Sequence, residues 1–175
     1  MVKNMIYTTN YKSELGDILL ASDGEHLIGL WFEGQKYYFP FKIEENNIEI
    51  KDDLSIFRQS RKWLDKYFCG QKVSPYELNL KLIGSDFRQI VWKILCDIPY
   101  GETMTYGQIA KRVSGIMGVE SMSAQAVGNA VGHNPISIII PCHRVLGSDG
   151  SLTGYAGGVD RKKKILKIEG FECSY

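Results

Sequence analysis

The chain has 175 residues, 44% hydrophobic and 23% charged, with a formal net charge of +1. That balance excludes disordered and fibrous classes and leaves enough apolar material for the core of one domain or two small ones. No apolar run approaches membrane length and Met1–Tyr7 carries no secretory h-region, so a cytoplasmic protein with no membrane partner is expected.

Taken in chain order, the first predicted element is a hairpin over Gly16–Phe32. Ile18–Ala21 and Leu27–Phe32 flank Asp23-Gly24, a dipeptide suited to a tight primed turn. Asp52–Phe68 then places Leu54, Phe57, Leu64 and Phe68 at helical spacing, with Gly70 as a natural stop. Pro75 and its polar neighbours mark a linker. Residues 1–79 therefore form a small α/β domain, and 80–175 a second, mostly helical one.

In that second part Ser85 is placed to cap a helix bearing Phe87, Ile90, Val91, Ile94 and Leu95, ended by Pro99-Tyr100-Gly101. Thr105 and Gln108 fit a capping box ahead of Ile109-Ala110, and a further short helix starts at Ser123. Two short helices in succession suit either a helix-turn-helix or a plain packing unit, although Ser114–Met122 is long for such a turn. Residues 1–79 carry 10 basic and 12 acidic residues, against 11 and 8 in the remainder, which leans towards an anionic partner for the second part. Gly128, among the small residues Ala124, Ala126 and Ala130, asks for a close approach, by DNA or by another helix.

The four cysteines, Cys69, Cys96, Cys142 and Cys173, form no CxxC pair, so neither a disulfide framework nor a metal site is expected. Only Cys142 has chemistry beside it. Ile136–Ile140 suggests a buried strand or extended segment, Pro141 stops it, and His143 and Arg144 follow. A thiol is a nucleophile as its thiolate, and a neighbouring imidazole or positive charge raises the thiolate fraction. A Cys-His dipeptide is also a common coincidence, and adjacent side chains in a strand point to opposite faces. Downstream, Gly147–Gly158 is a glycine-rich loop. Asp160 is placed to cap a helix opening with Arg161-Lys162-Lys163-Lys164, a run that suits a solvated face.

Together these residues resemble the methylated-DNA–protein-cysteine methyltransferases, or O6-alkylguanine-DNA alkyltransferases. Pro-Cys-His-Arg-Val at 141–145 is that family's signature, with Asn134-Pro135 before it and Tyr155, Gly157-Gly158 and Glu169-Gly170 after it. The resemblance is strong over residues 82–170. It implies a ribonuclease-H-like α/β domain followed by a winged-helix-like, helix-turn-helix domain, acting as a monomer without a cofactor or metal.

It also implies a single-turnover transfer of an alkyl group from O6-alkylguanine in double-stranded DNA to Cys142. His143 would be the base, oriented by Glu169, with Asn134 bracing the turn. Tyr106, Lys162, Val145, Tyr155 and Ala156 would hold the base flipped from the stack. Thr105, Ser123, Gln125, Ala126, Gly128 and Arg144 would meet DNA, through the minor groove. In two places the chain departs from the pattern. Gln125 stands where most of the family has an intercalating arginine, and the 114–122 turn is about five residues longer than the family's. The competing readings are a non-catalytic lesion-binding protein, which in the related alkyltransferase-like proteins lacks the acceptor cysteine, and a helix-turn-helix regulator with Cys142 as sensor.

Overall fold

A computed structural model describes residues 4–42 and 46–171; the readings made of Met1–Lys3 and Cys173 lie outside them. The first part is a four-stranded sheet in the order β3-β2-β1-β4. Strands β1 (Asn4–Ser13), β2 (Gly16–Ser22) and β3 (Leu27–Phe32) run antiparallel, and β4 (Asn46–Ile50) lies parallel to β1. The β2–β3 hairpin forms as expected but does not close in two residues. Asp23 instead accepts hydrogen bonds from the amides of Glu25 and His26, holding a wider loop with Gly24 at φ 109°. Strand β1 escaped the sequence reading because it carries Thr, Tyr and Asn rather than alternating apolar residues, with Ile6 its one buried aliphatic.

Helix α1 (Ser55–Phe68) lays Phe57, Trp63, Leu64 and Tyr67 on one sheet face. On the other face Trp31 packs edge-on against Phe39 and Phe41. Gly29 makes room for it, since a Cβ there would lie 1.8 Å from the indole ring.

The outer edge of β3 joins the two parts of the molecule. Leu27 exchanges backbone hydrogen bonds with Asn79 and Lys81, and Leu30 exchanges them with Pro135 and Ser137. The polar stretch after Pro75 is therefore docked, opening with a capped 3-10 turn over Pro75–Glu77. A single apolar core runs from β2 and β3 through α1 into the helices beyond.

Helix α2 (Asp86–Cys96) is capped by Ser85, and its Trp92 donates to the Ala130 carbonyl at 2.9 Å. Strand β5 (Met104–Thr105) leads into α3 (Tyr106–Met117), which has the expected Thr105–Gln108 capping box. Helix α4 (Ala124–Gly132) is capped by Ser123. The long turn is corrected: 114–117 continue α3, and the chain leaves it at Gly118 in the left-handed region, φ 66°. Strand β6 (Val145–Leu146) pairs parallel with β5. The final helix, α5 (Val159–Ile168), is not capped by Asp160, which lies in its first turn where a carboxylate suits the helix dipole.

Candidate active site

The segment before Cys142 is buried, as expected, but it is a turn and not a strand. After one bridge from Ile136 to Leu30 the chain folds back, with Ile138 at φ 68°, unfavourable for a β-branched residue. Asn134 holds that shape. Its Nδ2 donates to the Ile140 carbonyl at 2.7 Å and its Oδ1 accepts from the Ile136 amide at 3.0 Å. Ser137 adds a bond to Gln35 of the sheet domain. Cys142–Arg144 then form a 3-10 turn, so Cys142 and His143 escape the strict opposition of a strand.

Cys142 is 4% exposed and His143 is fully buried. The Nε2 of His143 lies 2.7 Å from Oε1 of Glu169, the residue that ends α5. A carboxylate only accepts, so the hydrogen sits on Nε2 and Nδ1 keeps its lone pair. Nδ1 is buried and has no hydrogen-bond partner among the described residues. Burial lowers the pKa of this imidazole, opposed by the hydrogen bond and charge of Glu169.

Glu169 is crowded with donors. Arg144 reaches both its oxygens, at 2.9 and 3.0 Å, Tyr67 donates to Oε1 at 2.6 Å, and the Gly101 amide donates to Oε2 at 3.1 Å. Burial alone would raise its pKa, but the hydrogen bonds and charges of His143 and Arg144 outweigh that and hold it well below the carboxylate range. The expected DNA contact by Arg144 is thereby corrected. Its guanidinium is buried on Glu169 and the Ile98 carbonyl, out of reach of a phosphate.

The thiol also differs from expectation. Burial pushes the Cys142 pKa up, and the Asn134 side chain and the charge of Lys162 oppose that without overcoming it. That upward push opposes the ionisation expected from the neighbouring imidazole. Lys162, in a charge run that suits a solvated face but set at the base by the resemblance, is fully buried and donates to the carbonyls of Val145 and Thr153, while Lys163 and Lys164 remain exposed. Burial brings its pKa down to about 8.

The glycine-rich loop is pinned at several points. Tyr106 donates to the Thr153 carbonyl at 3.1 Å, and the Ala156 carbonyl accepts from the Lys36 amide. Tyr155 is buried, its hydroxyl without a hydrogen-bond partner among the described residues, and Val145 is buried too. Gly128 faces Tyr106, where a Cβ would come 3.7 Å from the ring, so its close approach is at least partly to a helix. On the exposed side, Thr105 and Ser123 use their hydroxyls as caps, Gln125 projects from the first turn of α4, and Ala126 is half-buried. Sequence reasoning missed Tyr67 and Gly101. Tyr67 lies 102 positions from its partner Glu169, and no local pattern links them.

Residues 86–171 match the family model for the 6-O-methylguanine DNA methyltransferase DNA-binding domain, and residues 6–82 match that for its ribonuclease-like domain. The chain belongs to the 6-O-methylguanine DNA methyltransferase family. Two relatives named methylated-DNA–protein-cysteine methyltransferase show how far the likeness extends. That of Haemophilus influenzae is 40% identical over 94% of this chain and 86% of its own length, and that of Methanosarcina acetivorans 42% identical over 94% and 99%. A crystal structure of the Mycobacterium tuberculosis protein in complex with DNA superposes with a TM-score of 0.77 at 39% identity, covering 94% of this chain and 92% of that one. The architecture is thus the family's ribonuclease-like domain followed by its helical DNA-binding domain.

Proposed function

We infer that this protein repairs DNA by direct reversal, moving the alkyl group of O6-alkylguanine to Cys142 in a single turnover. In the step, a bond forms between Sγ and the alkyl carbon as the carbon–O6 bond breaks. The thiol proton passes to Nδ1 of His143, directly or through one water, and the electron pair of the broken bond stays on the guanine. Glu169 stabilises the imidazolium that results. Lys162 and Tyr106 are the donors available to neutralise the leaving base, Tyr106 after exchanging its bond to Thr153. The product thioether has no route back to the thiol, so each molecule acts once.

The observation that carries this reading is the division of labour at His143: Nε2 is committed to Glu169 and Nδ1 is left as a buried free base beside a buried cysteine. A thiol whose burial favours its protonated form suits a protein that can react only once.

The target atom is inaccessible in a stacked duplex, so the nucleotide is flipped out between the Gly147–Gly158 loop and α3–α4, with Val145, Tyr155 and Ala156 around the base. Helix α4 enters the minor groove through Ser123, Gln125 and Ala126, with Thr105 and Gly128 behind them, and sequence preference is slight because that groove carries a degenerate code. The boundary between the domains falls after residue 79, the protein acts as a monomer in the cytoplasm, and no cofactor or metal takes part. Among the described residues no helix is long and apolar enough to cross a membrane. Cys142 separates this reading from lesion binding without transfer.

The test compares the wild type with Cys142→Ala on duplex DNA carrying O6-methylguanine. Both are expected to bind the lesion, and only the wild type to clear it. Clearance by the variant would overturn the assignment of the acceptor.

A further inference from the structure

Tyr67 belongs to α1 of the ribonuclease-like domain, yet its hydroxyl lies inside the hydrogen-bond system of His143 and Glu169. It donates to Oε1 of Glu169 at 2.6 Å and stands 3.3 Å from Nε2 of His143. The ring is fully buried, stacked on Trp63 at 5.4 Å and 7° and met edge-on by Tyr100. Such packing fixes the hydroxyl to one position. Oε1 therefore serves His143, Tyr67 and Arg144 together. A carboxylate oxygen that already accepts a strong bond is a weaker acceptor for the next, and a less effective counter-charge for an imidazolium.

We propose that Tyr67 is a positioning residue for the alkyl transfer: by donating to Glu169 Oε1 it weakens the hold of that carboxylate on His143 Nε2–H and sets the basicity of Nδ1. The proposal rests on the role of His143 given above. Among the described residues, the charged and titratable groups around the imidazole are Lys162 of α5 and Glu169 at its end, Arg144 and Cys142 of its own turn, Tyr67 of α1, and Tyr100 beyond Arg144. Among them, Tyr67 is the neutral donor that can be removed without removing a charge or the acceptor. Its own pKa is driven well above the ordinary tyrosine value by burial and then by Glu169, so it remains a donor throughout the working range. A purely structural tyrosine would support the fold from its ring alone.

The test is Tyr67→Phe, which keeps the stack on Trp63 and deletes the hydroxyl. In DNA-free protein, the Nε2–H proton of His143 is read by NMR; it should move downfield as Glu169 becomes the better acceptor. In single-turnover methyl transfer, the acid limb of the pH–rate profile should move to higher pH by about one unit, the scale of one strong hydrogen bond to a charged group. A folded Tyr67→Phe protein with an unmoved proton resonance overturns the proposal, and so does an unmoved acid limb. Should Tyr67→Phe fail to fold, 3-fluorotyrosine at position 67, a stronger donor, should move the resonance upfield, and no movement overturns the proposal. The resonance needs no substrate. A wild type that transfers no methyl group would therefore sink the repair reading while leaving this measurement to decide the role of Tyr67.

Discussion

Glu169 shows how much one carboxylate does here, since it orients His143, neutralises Arg144 and receives a hydroxyl from the other domain. Glu169→Gln keeps the shape and loses the charge. The amide can offer its NH2 to His143 Nε2, which drives the ring hydrogen to Nδ1 and removes the base. Single-turnover kinetics should show transfer slowed by roughly 10⁴-fold, the cost of the wrong tautomer in an analogous triad. Arg144, left buried without its counter-ion, should lower stability by about 3 kcal/mol in urea unfolding. Among the described residues, the two cysteines whose exposure differs most give a second prediction. At pH 7 iodoacetamide should label exposed Cys69 well before Cys142, whose thiol is buried and shifted up. The sequence made Cys142, His143 and Glu169 legible through one dense motif and its downstream partner. It hid the burial of the thiol by segments far apart in the chain, and the pairing of Arg144 with Glu169, 25 positions away, which takes Arg144 from the place among the DNA contacts that the family resemblance implied.

Helices were the legible elements, because their caps are local. Ser85, Thr105–Gln108 and Ser123 all act as their spacing implies. The turn at 136–140 was not legible. Four isoleucines favour a strand, and the Asn134 side chain, bonded at both ends of the turn, overrides them. Gly128 in α4 supports a stability prediction. Alanine there would meet Tyr106 at 3.7 Å, an ordinary contact, and gain helix propensity, so Gly128→Ala should raise unfolding free energy by about 0.5–1 kcal/mol in denaturant titration. At the exposed start of the same helix, Gln125→Arg should tighten duplex binding and steepen the dependence of log affinity on log salt by about one, as one added phosphate contact requires. Fluorescence anisotropy across a salt series measures both, and unchanged binding would count against α4 as the DNA-facing helix.

Across the whole molecule, the candidate active site is assembled on the seam between two domains. The edge of β3 holds the segment leading to Cys142, α1 supplies Tyr67, and α5 brings Glu169 and Lys162. Site and fold should consequently fail together in acid. Both His143 and Glu169 have folded-state pKa values below their ordinary ones, so the unfolded chain binds more protons than the folded one. Their contribution is complete above about pH 6.5, the ordinary histidine value, and is lost as pH falls, first through His143 and then through Glu169 below the carboxylate range. Melting temperature followed by circular dichroism from pH 8 to 2 should decline in that order, with the carboxylate part absent in Glu169→Gln. The central claim is reached most directly by mixing the protein with duplex DNA containing O6-methylguanine, digesting it, and locating added mass. One methyl group on Cys142 per protein molecule, with turnover then at an end, is the outcome expected. Binding with no added mass, or a methyl group on any other residue, would contradict it.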